Sequence, residues 1–355
     1  MNKILLILVI FFSHHLVAQI NAPKYSNEFL NIGVGARSLA MSNAVITSTK
    51  GAMSGYWNPS NLANTTNDIQ IGLMHAEYFA GIAKYDFGSI VKKIDDKSSF
   101  GVSFLRFGVD NIPNTTDLID AQGNLNYDRI TYFSAADIAF IGSYGRKINE
   151  FLSVGSSVKI INRTAGDFAK AWGFGLDFST SYKKNDWALA IMAKDITSTF
   201  NVWNYKLTSE MINTFNNTGN ELPQNGVELT LPRIIFGASK NYELEENVHL
   251  LLEINADITT DGKRNVLLSG DPFSIDPHIG AEVNIRNIVY LRGGIGNIQK
   301  TPDLTGNIIY TIQPNLGLGI NIKGVNIEYA LTDIGDASIA EYSNIFSLKF
   351  NLNPE

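Results

Sequence analysis

The stretch Gly173-Phe-Gly-Leu-Asp-Phe-Ser-Thr-Ser-Tyr182 alternates: Phe174, Leu176, Phe178 and Tyr182 are bulky and apolar, while the positions between are small or polar and include Asp177. Successive strand residues face opposite ways, so one face lies against something apolar and the other toward a wet or loosely filled space. The pattern recurs. Leu152, Val154, Val158 and Ile160 oppose Ser153, Gly155, Ser157 and Lys159, and Leu316, Leu318, Ile320 and Ile322 oppose Asn315, Gly317, Gly319 and Asn321.

From residue 68 onward, fourteen windows read as strands: 68–78, 81–92, 99–107, 135–147, 152–163, 173–183, 187–194, 231–242, 248–257, 276–285, 289–296, 313–322, 325–332 and 344–351. Most come near the ~9 to 11 residues that a tilted transmembrane strand needs. Their connections sort by parity. Links after even-numbered windows are short (94–98, 149–150, 184–186, 243–247, 286–287, 323–324). Those after odd-numbered windows are long (108–134, 164–172, 195–230, 258–275, 297–312, 333–343), apart from a tight first one near Ala80 and Gly81. An up-and-down barrel with an even number of strands segregates its loops in this way, with short turns on the periplasmic rim.

The expected fold is therefore all-β: a transmembrane antiparallel up-and-down β-barrel of about 14 strands with a short, partly helical N-terminal plug. The chain divides into a signal peptide at 1–18, a hatch or plug segment at 19–67 and the outer-membrane barrel at 68–355. Lys3 followed by the apolar run Ile4 to Phe12 and a polar passage to Ala18 is the signal-peptide pattern. The run is roughly half the ~20 residues a membrane helix requires. Localisation in the outer membrane of a Gram-negative cell, with lipid as a partner, follows.

A charge on the lipid side is costly, so charges are expected to face inward. The inward set comprises Lys84, Asp86, Lys159, Asp177, His249, Glu253, Asp257, His278, Glu282, Arg292, Glu328 and Lys349. It also holds Gly101, Gly155, Gly175, Gly237, Gly280, Gly317 and Gly319, which leave backbone open to close approach by another part of the chain. A barrel of this size has room inside that an eight-stranded one lacks, and residues 19–67 are available to fill it.

The chain has no cysteine, which removes disulfides, thiolate metal sites and a cysteine nucleophile. A formal net charge of -6 argues against nucleic acid as a ligand. The lumenal carboxylates read as solvated or paired groups of a polar lumen, His249 and His278 do not cluster in sequence as metal ligands would, and Gly33-Val-Gly35 lacks the third glycine of a nucleotide loop. An enzyme is not expected, nor a metal or cofactor. Phe200, Trp203 and Tyr205 in the 195–230 connection are a candidate partner-binding surface. They equally suit a cap on the barrel mouth or an interfacial aromatic girdle.

Lys24-Tyr-Ser-Asn-Glu-Phe-Leu-Asn-Ile-Gly-Val-Gly-Ala-Arg-Ser-Leu-Ala-Met-Ser-Asn-Ala44, followed by Gly55-Tyr-Trp-Asn-Pro-Ser-Asn-Leu62, resembles the N-terminal signature of the PorV/PorQ family of Bacteroidota outer-membrane proteins, distant relatives of FadL-type transporters. Its marks are Gly33, Gly35, Ala36 and Arg37, then Trp57, Asn58 and Pro59; Ser42 and Ser60 stand where glycine and alanine are common. The resemblance implies a barrel with an N-terminal hatch, associated with type IX protein secretion and surface attachment. Its partners would be a secretion translocon, exported cargo or an attachment subunit, bound through extracellular loops. The competing expectation is a FadL-like channel for hydrophobic small molecules.

Overall fold

The computed structural model describes residues 25–116, 118, 124–302, 305–333 and 342–352; the expected signal peptide and residues 19–24 lie outside them. The strands are β1 (Ile69–Tyr78), β2 (Ala83–Asp95), β3 (Ser98–Asn114), β4 (Thr131–Lys147), β5 (Leu152–Ala165), β6 (Ala169–Lys184), β7 (Trp187–Lys194), β8 (Thr199–Tyr205), β9 (Gly226–Thr230), β10 (Arg233–Glu245), β11 (Val248–Thr259), β12 (Ser274–Ile285), β13 (Val289–Pro302), β14 (Ile308–Ile322), β15 (Val325–Thr332) and β16 (Ser343–Leu352). All pairings are antiparallel, and β1 pairs with both β2 and β16, which closes the ring.

The sixteen strands occupy fourteen places in the wall. β7 and β8 lie end to end against β6, and β9 and β10 lie end to end on their other side. The break between β7 and β8 holds Asp195 and Ser198 with φ of 54° and 57°, which turns the chain out of the ladder and back. The sequence-based reading of 195–230 as one loop is corrected here. The segment contains β8, a helix at Ser209–Asn217 and β9, and the 108–134 connection is likewise shortened by extensions of β3 and β4. Alternation in Phe200-Asn-Val202 is present, but aromatic Trp203 and Tyr205 on the opposite face hide it.

The tight turns that follow even-numbered windows share one rim, while the short links 79–82 and 166–168 lie at the other. Asn185, Asn247, Arg286, Asn287, Lys323 and Gly324 adopt the positive φ that tight antiparallel hairpins require. The outer face carries one large apolar side chain after another, among them Leu73, Phe104, Phe140, Ile160, Phe174, Ile254, Leu318 and Phe346, all exposed. Such a belt on a ladder closed into a ring is stable only against hydrocarbon.

One stretch of the inward assignment is wrong. Tyr85 and Phe87 of β2 point inward and are buried, so Lys84 and Asp86 face outward. Outside, Asp86 Oδ1 lies 2.7 Å from His75 Nδ1, and Arg106 of β3 stands opposite Asp86 in the ladder and 3.6 Å from Asp110. The alternation is intact but its phase is reversed, because the lumen beside β1–β3 is filled with apolar side chains rather than water.

Candidate functional site: the filled lumen

Residues 25–67 run inside the barrel as a series of short turns and helices, Ala36–Ala40 and Ser54–Trp57 among them. None is long enough to be stable alone. Their side chains supply much of a central apolar cluster: Phe29, Leu30, Val34, Leu39, Met41, Ile46, Met53, Tyr56 and Trp57 pack with Tyr85, Phe87, Leu105, Ile141 and Ile161 of the wall. Trp57 Nε1 donates to Val34 O at 2.9 Å, and Tyr56 donates to Leu30 O at 2.7 Å while accepting from Gly33 N at 3.2 Å. Gly33 has φ of 105° and no room for a Cβ beside Asn43 and Trp57, which accounts for glycine there.

Two seams join this segment to the wall. Along β3–β6 the contact is neutral and close. A Cβ on Gly155 would lie 2.3 Å from the Pro59 carbonyl carbon, and one on Gly145 would lie 2.3 Å from Pro59 O. Asn58 Nδ2 donates to Ser181 Oγ at 2.9 Å and to Ile46 O at 2.7 Å, Ser60 N donates to Ser179 Oγ at 2.9 Å, and Ser143 donates to Gly55 O at 3.0 Å.

Along β10–β16 the contact is charged. Arg37 binds Glu282 through Nε at 2.8 Å and a second nitrogen at 3.2 Å. Glu282 also accepts from Arg292 Nε at 2.6 Å; Arg292 reaches Glu328 at 3.1 Å, and Lys349 reaches the same carboxylate at 3.3 Å. Fully buried Glu253 accepts from Thr47 N at 2.7 Å, and Ala36 N donates to Ser347 Oγ at 2.7 Å. Here too the wall glycines make room: Cβ atoms at Gly280, Gly294 and Gly317 would meet Met41 or Ala40 at 2.8, 2.4 and 2.5 Å.

The remaining expected lumenal residues fall at different heights. Lys159 is buried between Asp177, at 2.8 Å, and Asp195, whose carboxylate also accepts from Thr199; this group pins the break between β7 and β8. Asp257 lies 3.6 Å from Arg233 and 4.0 Å from His278 near the long-loop end. His249 lines a cavity at the short-turn end. Among the described residues no group of three or more His, Asp or Glu is arranged to hold a metal ion. Phe200 faces outward beside Phe174. Trp203 stacks on Tyr205 at 5.8 Å, lies under the Arg163 guanidinium at 5.1 Å and donates to Glu228 at 2.6 Å. Trp203 and Tyr205 are thus part of the wall's inner face.

Sequence reading missed Lys194. It is buried, its ammonium sits 4.6 Å from the Tyr56 ring and 5.8 Å from that of Trp57, and it donates to Leu30 O at 3.3 Å. A strand-end lysine of this kind carries no local signal; only the aromatics folded in from the N-terminal segment give it a partner.

Among the described residues, two cavities of several hundred Å³ border the segment. One, of about 460 Å³, opens at the short-turn rim and is lined by Arg37, Lys50, Lys183, His249, Glu282 and several asparagines. The other, of about 610 Å³, opens at the long-loop end and is lined by Lys194, Arg233, Asp257, Arg264, Asp276 and His278. Between them the apolar cluster closes the lumen.

No family model matches this chain, and none of the curated proteins does. Solved structures do. The chain is similar to the Ralstonia pickettii toluene transporter TbuX, with 13% identity and a TM-score of 0.53 over 90% of this chain and 99% of that one. It is similar to the P. putida toluene transporter TodX, at 14% identity and TM-score 0.55 over 91% and 99%, and to a Pseudomonas aeruginosa FadL homologue, at 12% and 0.51 over 90% and 98%. At such identities the likeness carries the fold. The chain is a transmembrane β-barrel of FadL-like architecture.

Proposed function

We propose that this protein is a plugged outer-membrane channel of the FadL-like kind, passing small molecules between the long-loop cavity and the short-turn cavity when residues 25–67 shift. The observation that carries the reading is the arrangement of two aqueous cavities, of about 460 and 610 Å³, back to back against one interior segment in a barrel whose solved look-alikes are described as hydrocarbon transporters and channels. The segment is held by hydrogen bonds, ion pairs and packing, so it is displaceable in principle without unfolding the wall. Non-enzymatic passage also accords with a lumen in which Asp177, Asp195, Glu282 and Glu328 are taken up in ion pairs. The test is uptake of toluene or a fatty acid by liposomes carrying the full chain. Accumulation above that of empty liposomes supports the reading, and equal accumulation overturns it.

A second reading has its own observation. Both cavities are lined mainly by charged and amide side chains, with Ile32, Trp57 and Ile235 among the apolar minority in the long-loop one, which favours a scaffold that binds proteins over a hydrocarbon conduit. Together with the PorV/PorQ-like signature in residues 24–62, it supports service to type IX secretion, with a translocon, cargo or attachment subunit as partner. Co-purification of such a protein from detergent extract, with no uptake by liposomes, decides for it.

A further inference from the structure

The short-turn cavity has an electrostatic character opposite to that of the chain. The protein carries a formal charge of -6, yet this cavity is lined by Arg37, Lys50, Lys183, Arg292 and Lys349 against only Glu282 and Glu328. Those two carboxylates are already committed: Glu282 holds Arg37 and Arg292, and Glu328 holds Arg292 and Lys349. Lys50 and Lys183 form no salt bridge among the described residues; the carboxylates they feel, Glu282 for Lys50 and Glu253 for Lys183, are already engaged by Arg37 and Arg292 and by Thr47 N. Lys50, in the interior segment, has protein on most sides while its tip reaches cavity water. Burial, and then the positive charge of Arg37, push its pKa down. Unneutralised cations facing one another across a confined space call for a counter-anion. The rest of the lining supplies neutral hydrogen-bonding groups, including Asn241, Asn326 and Asn351, whose amides both donate and accept.

We propose that the cavity at the short-turn rim is a binding site for spaced carboxylates, held by Lys50 and Lys183 and flanked by asparagine amides. This rim faces the periplasm in barrels of this kind. The carboxylates belong either to an acidic peptide segment of a periplasmic protein or to a free small polycarboxylate, and a volume of about 460 Å³ accepts a few residues of the first or one molecule of the second. The site stands whichever reading of the channel holds, since it lies on the periplasmic side of the closing apolar cluster and needs no passage.

The experiment is calorimetric titration of the intact chain in detergent micelles with an alternating Glu-Gly hexapeptide and, separately, with citrate. Saturable binding of either, weakened by raising sodium chloride from 50 to 500 mM, is the expected result. The double variant Lys50→Gln, Lys183→Gln is expected to lose at least about tenfold in affinity, the order of one charge-assisted hydrogen bond. Lys93→Gln, on β2 outside the cavity and paired with Asp96, is expected to bind as the parent does. Tighter binding of the peptide identifies a protein segment as occupant, and equal or tighter binding of citrate identifies a free anion. Absence of binding by both, or affinity that survives the double substitution in a barrel of unchanged heat-modifiability, overturns the proposal. A loss seen equally with Lys93→Gln also overturns it, since the effect would then be one of overall charge.

Discussion

The two seams that hold the interior segment achieve the same end by opposite chemistry. Against β3–β6, Asn58, Pro59 and Ser60 meet serines and glycines so closely that wall and segment share backbone contacts. Against β10–β16, Arg37 and its neighbours meet carboxylates through ion pairs. Close neutral packing is short-ranged and tolerates no added volume, but salt and pH leave it alone. Ion pairs tolerate small displacements, but depend on both partners being charged. A segment that moves while staying tethered should therefore leave the charged seam first and pivot on the neutral one.

The largest test of that contrast is Gly155→Val. Its Cβ would sit 2.3 Å from the Pro59 carbonyl carbon and from Ser60 N, where backbone rather than a flexible side chain must give. The expected cost is about 3 kcal/mol or more of seam stability. It should appear as a raised ion conductance in planar bilayers with the barrel still folded by heat-modifiability. Wild-type conductance in the variant would refute the idea that this seam is the pivot.

Next in size is Glu282→Gln. It removes the carboxylate shared by Arg37 and Arg292 and leaves two buried guanidinium groups underpaired, a change of about 2 to 3 kcal/mol given that Arg37 keeps some exposure and Arg292 keeps Glu328. Conductance should rise as for Gly155→Val, and the parent should approach the variant in 1 M salt, whereas Gly155→Val should be indifferent to salt. Smaller again is Ser181→Ala, which deletes the Oγ that accepts from Asn58 and shares a hydrogen bond with Ser60. About 1 kcal/mol is expected from the loss, visible as a lower unfolding temperature without a change in conductance.

The contrast also marks what sequence could show. All fourteen windows of alternation became strands, because lipid imposes a uniform outer face and the period of two survives everywhere. What alternation could not reveal was the other solvent. The inward face of β2 carries Tyr85 and Phe87 because it packs on Tyr56 and its neighbours, so placing every charge in the lumen turned Lys84 and Asp86 the wrong way. The inward glycines were legible, and Gly101, Gly155, Gly237, Gly280 and Gly317 do stand against the interior segment. Which carboxylate met which arginine was not, since Arg37 and Glu282 are brought together only by the folded path of residues 36–48 across the lumen.

The smallest expected effect lies where the two seams meet the outside. Arg264, in the connection after β11, binds Asp261, reaches Glu28 at 2.9 Å and lies 4.8 Å from the Tyr25 ring, so it ties the start of the interior segment to a loop. Burial raises the Asp261 carboxyl, but the Arg264 hydrogen bond and charge outweigh it and hold the pKa below its ordinary 3.8. A depressed folded-state value means that the stabilisation is complete above the unfolded pKa and is lost as pH falls through the folded one. Protection factors at residues 25–30, which are exchange rates corrected for their intrinsic pH dependence, should therefore be unchanged from pH 7 down to about 4 and fall only below it. In Asp261→Asn that acid-induced step should shrink markedly. A step of the same size in both proteins would show that Arg264 anchors the segment through Glu28 and the Tyr25 ring, and that the loop carboxylate is a bystander.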